Sequence, residues 1–162
     1  MDIQKMLAEM RVKLLEKPLT RMGRAADMIW IVFGEDIPGK DFRGEARTFS
    51  EYSLHIQCPF HLVHKRNLVV GSHDVYLPGE GVDADVFDWT TSERNSFYDE
   101  QALNLNTEVF PQTVKAIDMD EVGTLQIDVG IETYLRVFPN GGAVEEYWRF
   151  FAHKGPHWVM WE

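Results

Sequence analysis

Four side chains of the types that bind zinc recur at intervals of three residues in one short segment: His55, Cys58, His61 and His64. On a helix this spacing would place all four near one face. Apolar and polar residues alternate here, however, and Pro59 interrupts the run, which predicts a strand. On a strand, His55 and His61 point to one side and Cys58 and His64 to the other. Two ligands on each side do not close a tetrahedral site, so the sequence favours no metal site and no cofactor.

The alternation divides this predicted strand, which begins at Glu51, into a buried side and a polar side. Cys58 falls among the apolar residues, and we expect a small buried hydrophobic residue, the usual state of a free cysteine. His55, Gln57 and His61 fall on the polar side. Because Pro59 has no backbone donor, a bulge or an edge position is expected there.

A second strand is predicted to return beside the first, over Leu68 to Leu77, after a turn at Lys65-Arg66-Asn67. It carries His73 and Asp74, and a His–Asp pair can perform acid–base chemistry. Whether they share the polar side depends on the register, which a one-residue slip reverses. Ordinary pairing of polar residues across a solvated face is the alternative. The candidate ligand-binding residues are therefore His55, Gln57, His61 and Asp74; no residue is assigned as catalytic.

The segment from Glu80 to Glu100 is strongly acidic, with Arg94 as its single basic residue. Its first half is predicted to be a solvated loop. Its second half is predicted to be a helix, capped by Thr91 or Ser92 and running through Leu105, within residues 91–107. The acidic residues of the segment are Glu80, Asp83, Asp85, Asp88, Glu93, Asp99 and Glu100.

The elements around these segments predict an α+β fold. Asp2 caps an amphipathic N-terminal helix that ends before Pro18. Residues 28–33 form a buried strand, and a loop is expected from Gly34 to Gly44. Further strands are predicted at 114–119, 125–129, 134–138, 144–152 and 157–161. Together these elements predict an N-terminal helix, a mainly antiparallel sheet of about seven or eight strands and a second helix near 91–107. Whether the sheet curls into a half-barrel is left open.

Length and composition are typical of a single domain over residues 1–162. Its lone cysteine forms no internal disulfide, which favours a cytoplasmic location. The N-terminal stretch has no apolar signal region and no apolar run is long enough for a membrane helix, so a soluble protein is expected. The formal net charge of −10, of which −7 falls in residues 49–110, disfavours nucleic acid as a partner. It suits solubility or a basic partner.

Five segments resemble a family of small bacterial proteins with no assigned activity. The resemblance covers roughly a third of the chain and implies a bacterial, cytosolic setting; it implies no site residues. The segments are GRAADMIWIVFG (23–34), EYSLHIQCPFHLV (51–63), HDVYLPG (73–79), YLRVFPNG (134–141) and EEYWRFF (145–151).

Two main hypotheses about function follow, and a metal protein, which elemental analysis would identify, is a weaker third. Because the chain has no complete catalytic signature, we favour a non-enzymatic binding protein, of the immunity or regulatory type, that contacts a basic protein through residues 80–100. The alternative is a small-molecule-binding domain or an enzyme that uses the polar face of the 51–77 hairpin. The sequence does not determine the oligomeric state.

Overall fold

A computed structural model describes residues 2–91, 93–143 and 145–161. The described residues form two α-helices and ten strands, joined by a 3₁₀ helix at Ser72–Tyr76 and a π-helical turn at Leu105–Val109. The helices are α1 (Ile3–Leu14) and α2 (Phe97–Asn104). The strands are β1 (Pro18–Ala25), β2 (Met28–Lys40), β3 (Ala46–Ile56), β4 (Phe60–His64), β5 (Asn67–Gly71), β6 (Gln112–Met119), β7 (Leu125–Val129), β8 (Thr133–Val137), β9 (Glu146–Ala152) and β10 (His157–Trp161).

All ten strands belong to one antiparallel sheet in the order β10-β9-β3-β2-β1-β6-β7-β8-β4-β5. The edge strands β10 and β5 do not pair with each other, so the sheet is open. β3 and β4 are third and ninth in this order, yet only residues 57–59 connect them. Such a short connection requires the sheet to curl until its two halves approach each other. The α+β prediction with two helices is confirmed, with ten strands where about seven or eight were expected.

Helix α1 packs against the curled sheet with one face. Asp2 caps it by accepting a hydrogen bond from the backbone N–H of Lys5 at 3.1 Å, as its position before an apolar stripe predicts. Its buried residues recur at helical spacing and join the core. On the exposed side, the Arg11 guanidinium donates to the carbonyl of Ile117 on β6. These buried residues are Met6, Leu7, Met10 and Leu14.

The edge of β1 is completed by side chains instead of a full neighbouring strand. β1 and β6 pair only at Pro18 and Leu19. Further along, Asn106 accepts a hydrogen bond from the Met22 N–H and donates to the Met22 carbonyl, at 2.9 and 2.8 Å. The Tyr98 hydroxyl donates to the carbonyl of Gly23 at 2.9 Å. Backbone groups that would otherwise be buried and unpaired are thus satisfied from α2 and the turn that follows it.

The loop predicted from Gly34 to Gly44 is wrong, because β2 continues to Lys40 and pairs with β3 along this length. Gly34 has φ +80° and lies where the β2–β3 register shifts. The glycine therefore marks a β-bulge within a strand.

The long strand predicted from Glu51 is also wrong. β3 ends at Ile56 and β4 begins at Phe60, because the chain crosses between the two halves of the sheet around Pro59. The N–H of Gln57 donates to the carbonyl of Tyr147 on β9, and the carbonyl of Pro59 accepts from the N–H of Phe138, just after β8. Pro59 therefore marks a change of neighbouring strand.

Two further boundaries differ from the prediction. The returning strand expected to reach Leu77 ends at Gly71, where the 3₁₀ helix begins. Helix α2 starts later than expected, with Ser96 as its cap: its hydroxyl accepts from the Asp99 N–H, and the Asp99 carboxylate accepts from the Ser96 N–H. Thr91 precedes α2 by several residues, and Ser92 lies outside the described residues.

Candidate functional site

His55 lies on the outer side of β3, against the aromatic side chains of the terminal strands. Its ring meets Phe151 edge-on with centroids 4.8 Å apart, and Phe151 stacks on His157 at 4.9 Å. Burial lowers the pKa of His55, and the nearby Arg149 guanidinium lowers it further. A half-buried imidazole packed against one aromatic ring is consistent with a role in packing the sheet surface.

His61 lies on β4, in the other half of the sheet. Its ring packs against Phe138 with centroids 5.1 Å apart, and burial followed by the charge of Arg136 lowers its pKa. Because β3 and β4 are third and ninth in the sheet and each histidine alternates with buried neighbours, His55 and His61 lie on the outer faces of different halves. The polar face that would unite them on one strand does not form.

The remaining two members of the histidine–cysteine cluster face other partners. His64 Nδ1 lies 2.7 Å from the Thr133 hydroxyl. Cys58 is buried, as predicted, and burial raises the pKa of its thiol to about 12, which makes it a poor nucleophile at neutral pH. Among residues 2–91, 93–143 and 145–161, no three or more His, Cys, Asp or Glu side chains are grouped to hold a metal ion.

Asp74 has a local structural role. It is the third residue of the 3₁₀ helix, and its carboxylate accepts a hydrogen bond from the Gly71 N–H at 2.7 Å. Gln57 projects from the β3–β4 connection, where its amide lies 3.4 Å from a Glu146 carboxylate oxygen. Ligand binding by His55, Gln57, His61 and Asp74 stays a prediction, and Gln57 alone of the four lines the cleft described next.

A cleft of about 300 Å³ opens where the β3–β4 connection meets the β1–β2 turn, the 3₁₀ helix and the loop after β8. Its apolar lining residues are Ile29, Cys58, Pro59 and Phe60. Its polar lining residues are Asp27, Gln57, Ser72, His73, Tyr76 and Asn140. With six polar and four apolar residues, the cleft has a more polar lining than most small-molecule pockets.

Asp27 and Tyr76 form the polar contact within this cleft. The Tyr76 hydroxyl donates to Asp27 Oδ2 at 3.3 Å. Burial, together with the negative charge of Asp27, raises the pKa of Tyr76, which keeps the phenol protonated as a donor. The Tyr76 ring is set edge-on against Trp89, with centroids 5.0 Å apart and planes at 88°. Asp27 is exposed and belongs to none of the ion pairs among the described residues.

The acidic segment divides into exposed carboxylates and one buried carboxylate. The side chain of Asp99 is 7% exposed and forms a two-pronged ion pair with Arg24, at 2.8 Å from Nε and 2.7 Å from Nη2. Burial acts to raise the pKa of Asp99, but hydrogen bonds from Arg24 and Ser96 outweigh it and hold the pKa below its ordinary value. The exposed carboxylates have no ion-pair partner among the described residues: Glu80, Asp83, Asp85, Asp88 and Glu93.

Apolar side chains are exposed among these carboxylates. Of the eleven large apolar side chains that the described residues expose, five come from positions 76–103: Tyr76, Leu77, Val86, Phe97 and Leu103. Phe97 and Leu103 line an open groove of about 590 Å³ together with Glu80 and Glu100. Glu100 is held in place by the N–H of Glu80, which donates to it at 2.6 Å. We call positions 76–104 the acidic face.

Sequence patterns missed Asp27, Tyr76 and Asn140 as site residues, because three separate parts of the chain bring them together. Asp27 lies in the tight turn Ala26-Asp27 between β1 and β2, where Ala26 has φ +53°. Its position as an acidic residue directly before an apolar run is the one sequence feature that points to it.

Comparisons with family models, with curated proteins and with solved structures yield no match. The resemblance to small bacterial proteins therefore stays a prediction. No helix among the described residues is long and apolar enough to cross a membrane.

Proposed function

We propose that this chain is a non-enzymatic binding protein, of the immunity or regulatory type, which engages a basic partner protein through the acidic face. The observation that carries the proposal is the mixture at that face of exposed apolar side chains with carboxylates that have no ion-pair partner among the described residues. Protein interfaces combine apolar anchors with complementary charge at their rim.

The two components have different roles in binding. Phe97 and Leu103 beside the groove offer apolar area whose removal from water stabilises a complex. The carboxylates of Glu80, Asp83 and Asp85 attract a basic surface and speed its association, an effect that salt screens. Asp99 takes no part in contact, because Arg24 already neutralises it in the interior.

Affinity capture with matched variants tests the proposal. The face variant neutralises Glu80, Asp83, Asp85 and Glu93 to the corresponding amides. The control variant carries Glu35→Gln, Glu45→Gln, Glu121→Gln and Glu132→Gln, which changes the net charge equally at exposed positions elsewhere. Both avoid Asp88, whose carboxylate accepts two hydrogen bonds, from the N–H and the hydroxyl of Thr90. Asp83 accepts the N–H of Asp85, and the amide oxygen of Asp83→Asn keeps that acceptor.

The proposal requires a basic partner, recovered from the source cell by the wild-type and control proteins, whose binding weakens at least about ten-fold in the face variant. Binding should also weaken as the salt concentration rises from about 50 to about 300 mM, because salt screens the attraction between exposed charges. A partner retained by the face variant, or an acidic partner, contradicts the proposal. So does recovery of no partner from cells in which the chain is produced at its natural level.

A second candidate function is small-molecule binding or catalysis at the 51–77 region. Its support is the cleft that Gln57 and His73 line. The high pKa of the Cys58 thiol weighs against a thiolate nucleophile there. A screen of neutral and anionic metabolites by thermal shift, with Gln57→Ala as the control, would favour this candidate if a ligand stabilised only the protein with Gln57.

A further inference from the structure

We propose that the cleft between Asp27 and Tyr76 receives one lysine or arginine side chain of the basic partner. This inference rests on the proposed function and specifies where that partner's cation is bound. Ten residues line the cleft; one of them, Asp27, is a carboxylate, and none is lysine or arginine. A bound cation would therefore meet one negative charge and no fixed positive charge on the walls.

Asp27 lies in a turn that is anchored to the interior, and its carboxylate has unused hydrogen-bonding capacity. The carbonyl of its neighbour Ala26 accepts a hydrogen bond from Arg24 Nη1 at 3.0 Å, which ties the turn to the buried ion pair. Tyr76 occupies one site on Oδ2. A carboxylate accepts at about four lone-pair sites, so Asp27 can still accept hydrogen bonds from an ammonium or guanidinium group.

Tyr76 adds an aromatic surface beside that carboxylate. Trp89 holds its ring edge-on, and His73 lies at a centroid distance of 6.3 Å. Tyr76 is 42% exposed, so part of its ring is free to contact a ligand. An aromatic face within about 6 Å of a cation attracts it electrostatically.

The remaining walls suit the rest of a long basic side chain. Pro59, which is partly exposed, can cover part of its methylene stem, while the side-chain oxygens of Gln57 and Asn140 can accept its other donors. The volume of about 300 Å³ is at the small end for ligand pockets, which fits one side chain better than a nucleotide or a similar cofactor.

The position of the cleft connects it with the acidic face. Ser72, His73 and Tyr76 line the cleft and residues 78–80 line the groove, so one stretch of chain borders both depressions. Leu77, between them, accepts a hydrogen bond from the N–H of Phe97 through its carbonyl, which fastens this stretch to the start of α2. A basic partner seated on the acidic face would thus have the cleft within reach.

The test uses small probes on the full chain. Nα-acetyl-lysine methylamide, its arginine counterpart and its uncharged norleucine counterpart are titrated into ¹⁵N-labelled protein, and amide shifts are followed by NMR. Both cations should cause saturable shifts at Asp27, at Tyr76 and at the side-chain amides of Gln57 and Asn140. The norleucine probe should cause none.

Variants identify the groups responsible. Asp27→Asn should weaken binding of the lysine probe about five-fold. This fold-change corresponds to roughly 1 kcal/mol, which is typical of one partly exposed charge pair. Tyr76→Leu should weaken it about three-fold while Tyr76→Phe restores most of the affinity. Glu121→Gln removes one exposed charge elsewhere and should change nothing. Equal binding of the norleucine probe, or cation binding that Asp27→Asn does not alter, overturns the inference.

The test separates this inference from the proposed function. If neither cation binds the cleft but the face variant still loses its partner, the inference is overturned and the proposed function stands. If the cations bind but no basic partner is captured, the proposed function fails, and the assignment of the cleft to a partner's side chain fails with it.

Discussion

Arg24 and Asp27 are three residues apart in the β1–β2 hairpin, yet their charges lie in opposite environments. The Arg24 guanidinium is buried and donates to both Asp99 oxygens and to the carbonyls of Ala26 and Trp89. The Asp27 carboxylate is exposed beside a cleft and accepts one hydrogen bond, from Tyr76. The Arg24 guanidinium uses its donors to hold the hairpin, α2 and the acidic loop together. The Asp27 carboxylate can still accept hydrogen bonds from a ligand.

The same contrast divides the acidic segment itself. Asp99 is satisfied internally by Arg24 and Ser96, while Glu80, Asp83 and Asp85 face solvent. The net charge of the sequence counts each of these carboxylates equally and does not show which of them are buried. The structure separates one carboxylate that stabilises the fold from those available to a partner.

The largest expected effect comes from breaking the buried pair. Arg24→Met should lower the free energy of unfolding by about 3–5 kcal/mol, because it leaves the Asp99 carboxylate buried without its cation. Urea denaturation followed by circular dichroism measures the loss. A loss below about 1 kcal/mol would show that water compensates Asp99 and would remove the distinction between the two sites.

A smaller loss is expected where side chains complete the β1 edge. Asn106→Leu should lower the free energy of unfolding by about 1–3 kcal/mol, since the N–H and carbonyl of Met22 would lose their partner. Asn104→Leu, two residues earlier and exposed, is the control and should stay within about 0.5 kcal/mol of wild type. Equal effects of the two substitutions would mean that the Asn106 contacts contribute nothing.

The pH dependence of stability should report on Asp99. Its pKa is lower in the folded protein than in the unfolded chain, so the unfolded chain binds the proton more tightly. The stabilisation is complete above the unfolded pKa of about 3.9 and is lost as pH falls through the folded pKa. Unfolding free energies measured from pH 6 to pH 3 should fall less steeply for Asp99→Asn than for wild type. Parallel curves for the two proteins would contradict this account.

The smallest effect on stability is expected at the cleft. Asp27→Asn and Tyr76→Phe should each change the free energy of unfolding by less than about 0.5 kcal/mol, because both groups are exposed. Thermal melts of the two variants provide the measurement. A loss as large as that of Asn106→Leu would make the Asp27–Tyr76 contact a structural one and weaken the case for a ligand.

Local patterns predicted much of the fold. The alternation in Leu125–Val129 and the aromatic run His157–Trp161 gave strands with the observed bounds, and Asp2 was placed correctly as a helix cap. Two breaks in local patterns have other causes than those predicted. Gly34, predicted to begin a loop, marks a bulge within β2, and Pro59, predicted to mark a bulge or edge position in one strand, lies where the chain changes neighbouring strands. A break in a local pattern does not distinguish these outcomes.

The candidate site was much less accessible to sequence reasoning. Arg24 and Asp99 are 75 residues apart, and Tyr76 and Asp27 are 49 apart, so no local period connects either pair. The predicted polar face depended on a single strand from His55 to His61, and the chain leaves that strand at residue 57. Gln57 and the acidic segment are the predicted residues that the two proposals retain. Each lies in one continuous stretch of chain, so its prediction does not depend on long-range pairing.

The central claim is that a basic partner binds at the acidic face and its neighbouring cleft. The most direct test is an NMR titration of the ¹⁵N-labelled chain with a lysine- and arginine-rich decapeptide at low salt. The account predicts shifts concentrated in the described residues of 76–104 and at Asp27, with little change in the outer strands around His55 and His61. Shifts spread evenly over every acidic surface, or centred on those histidines, would contradict it.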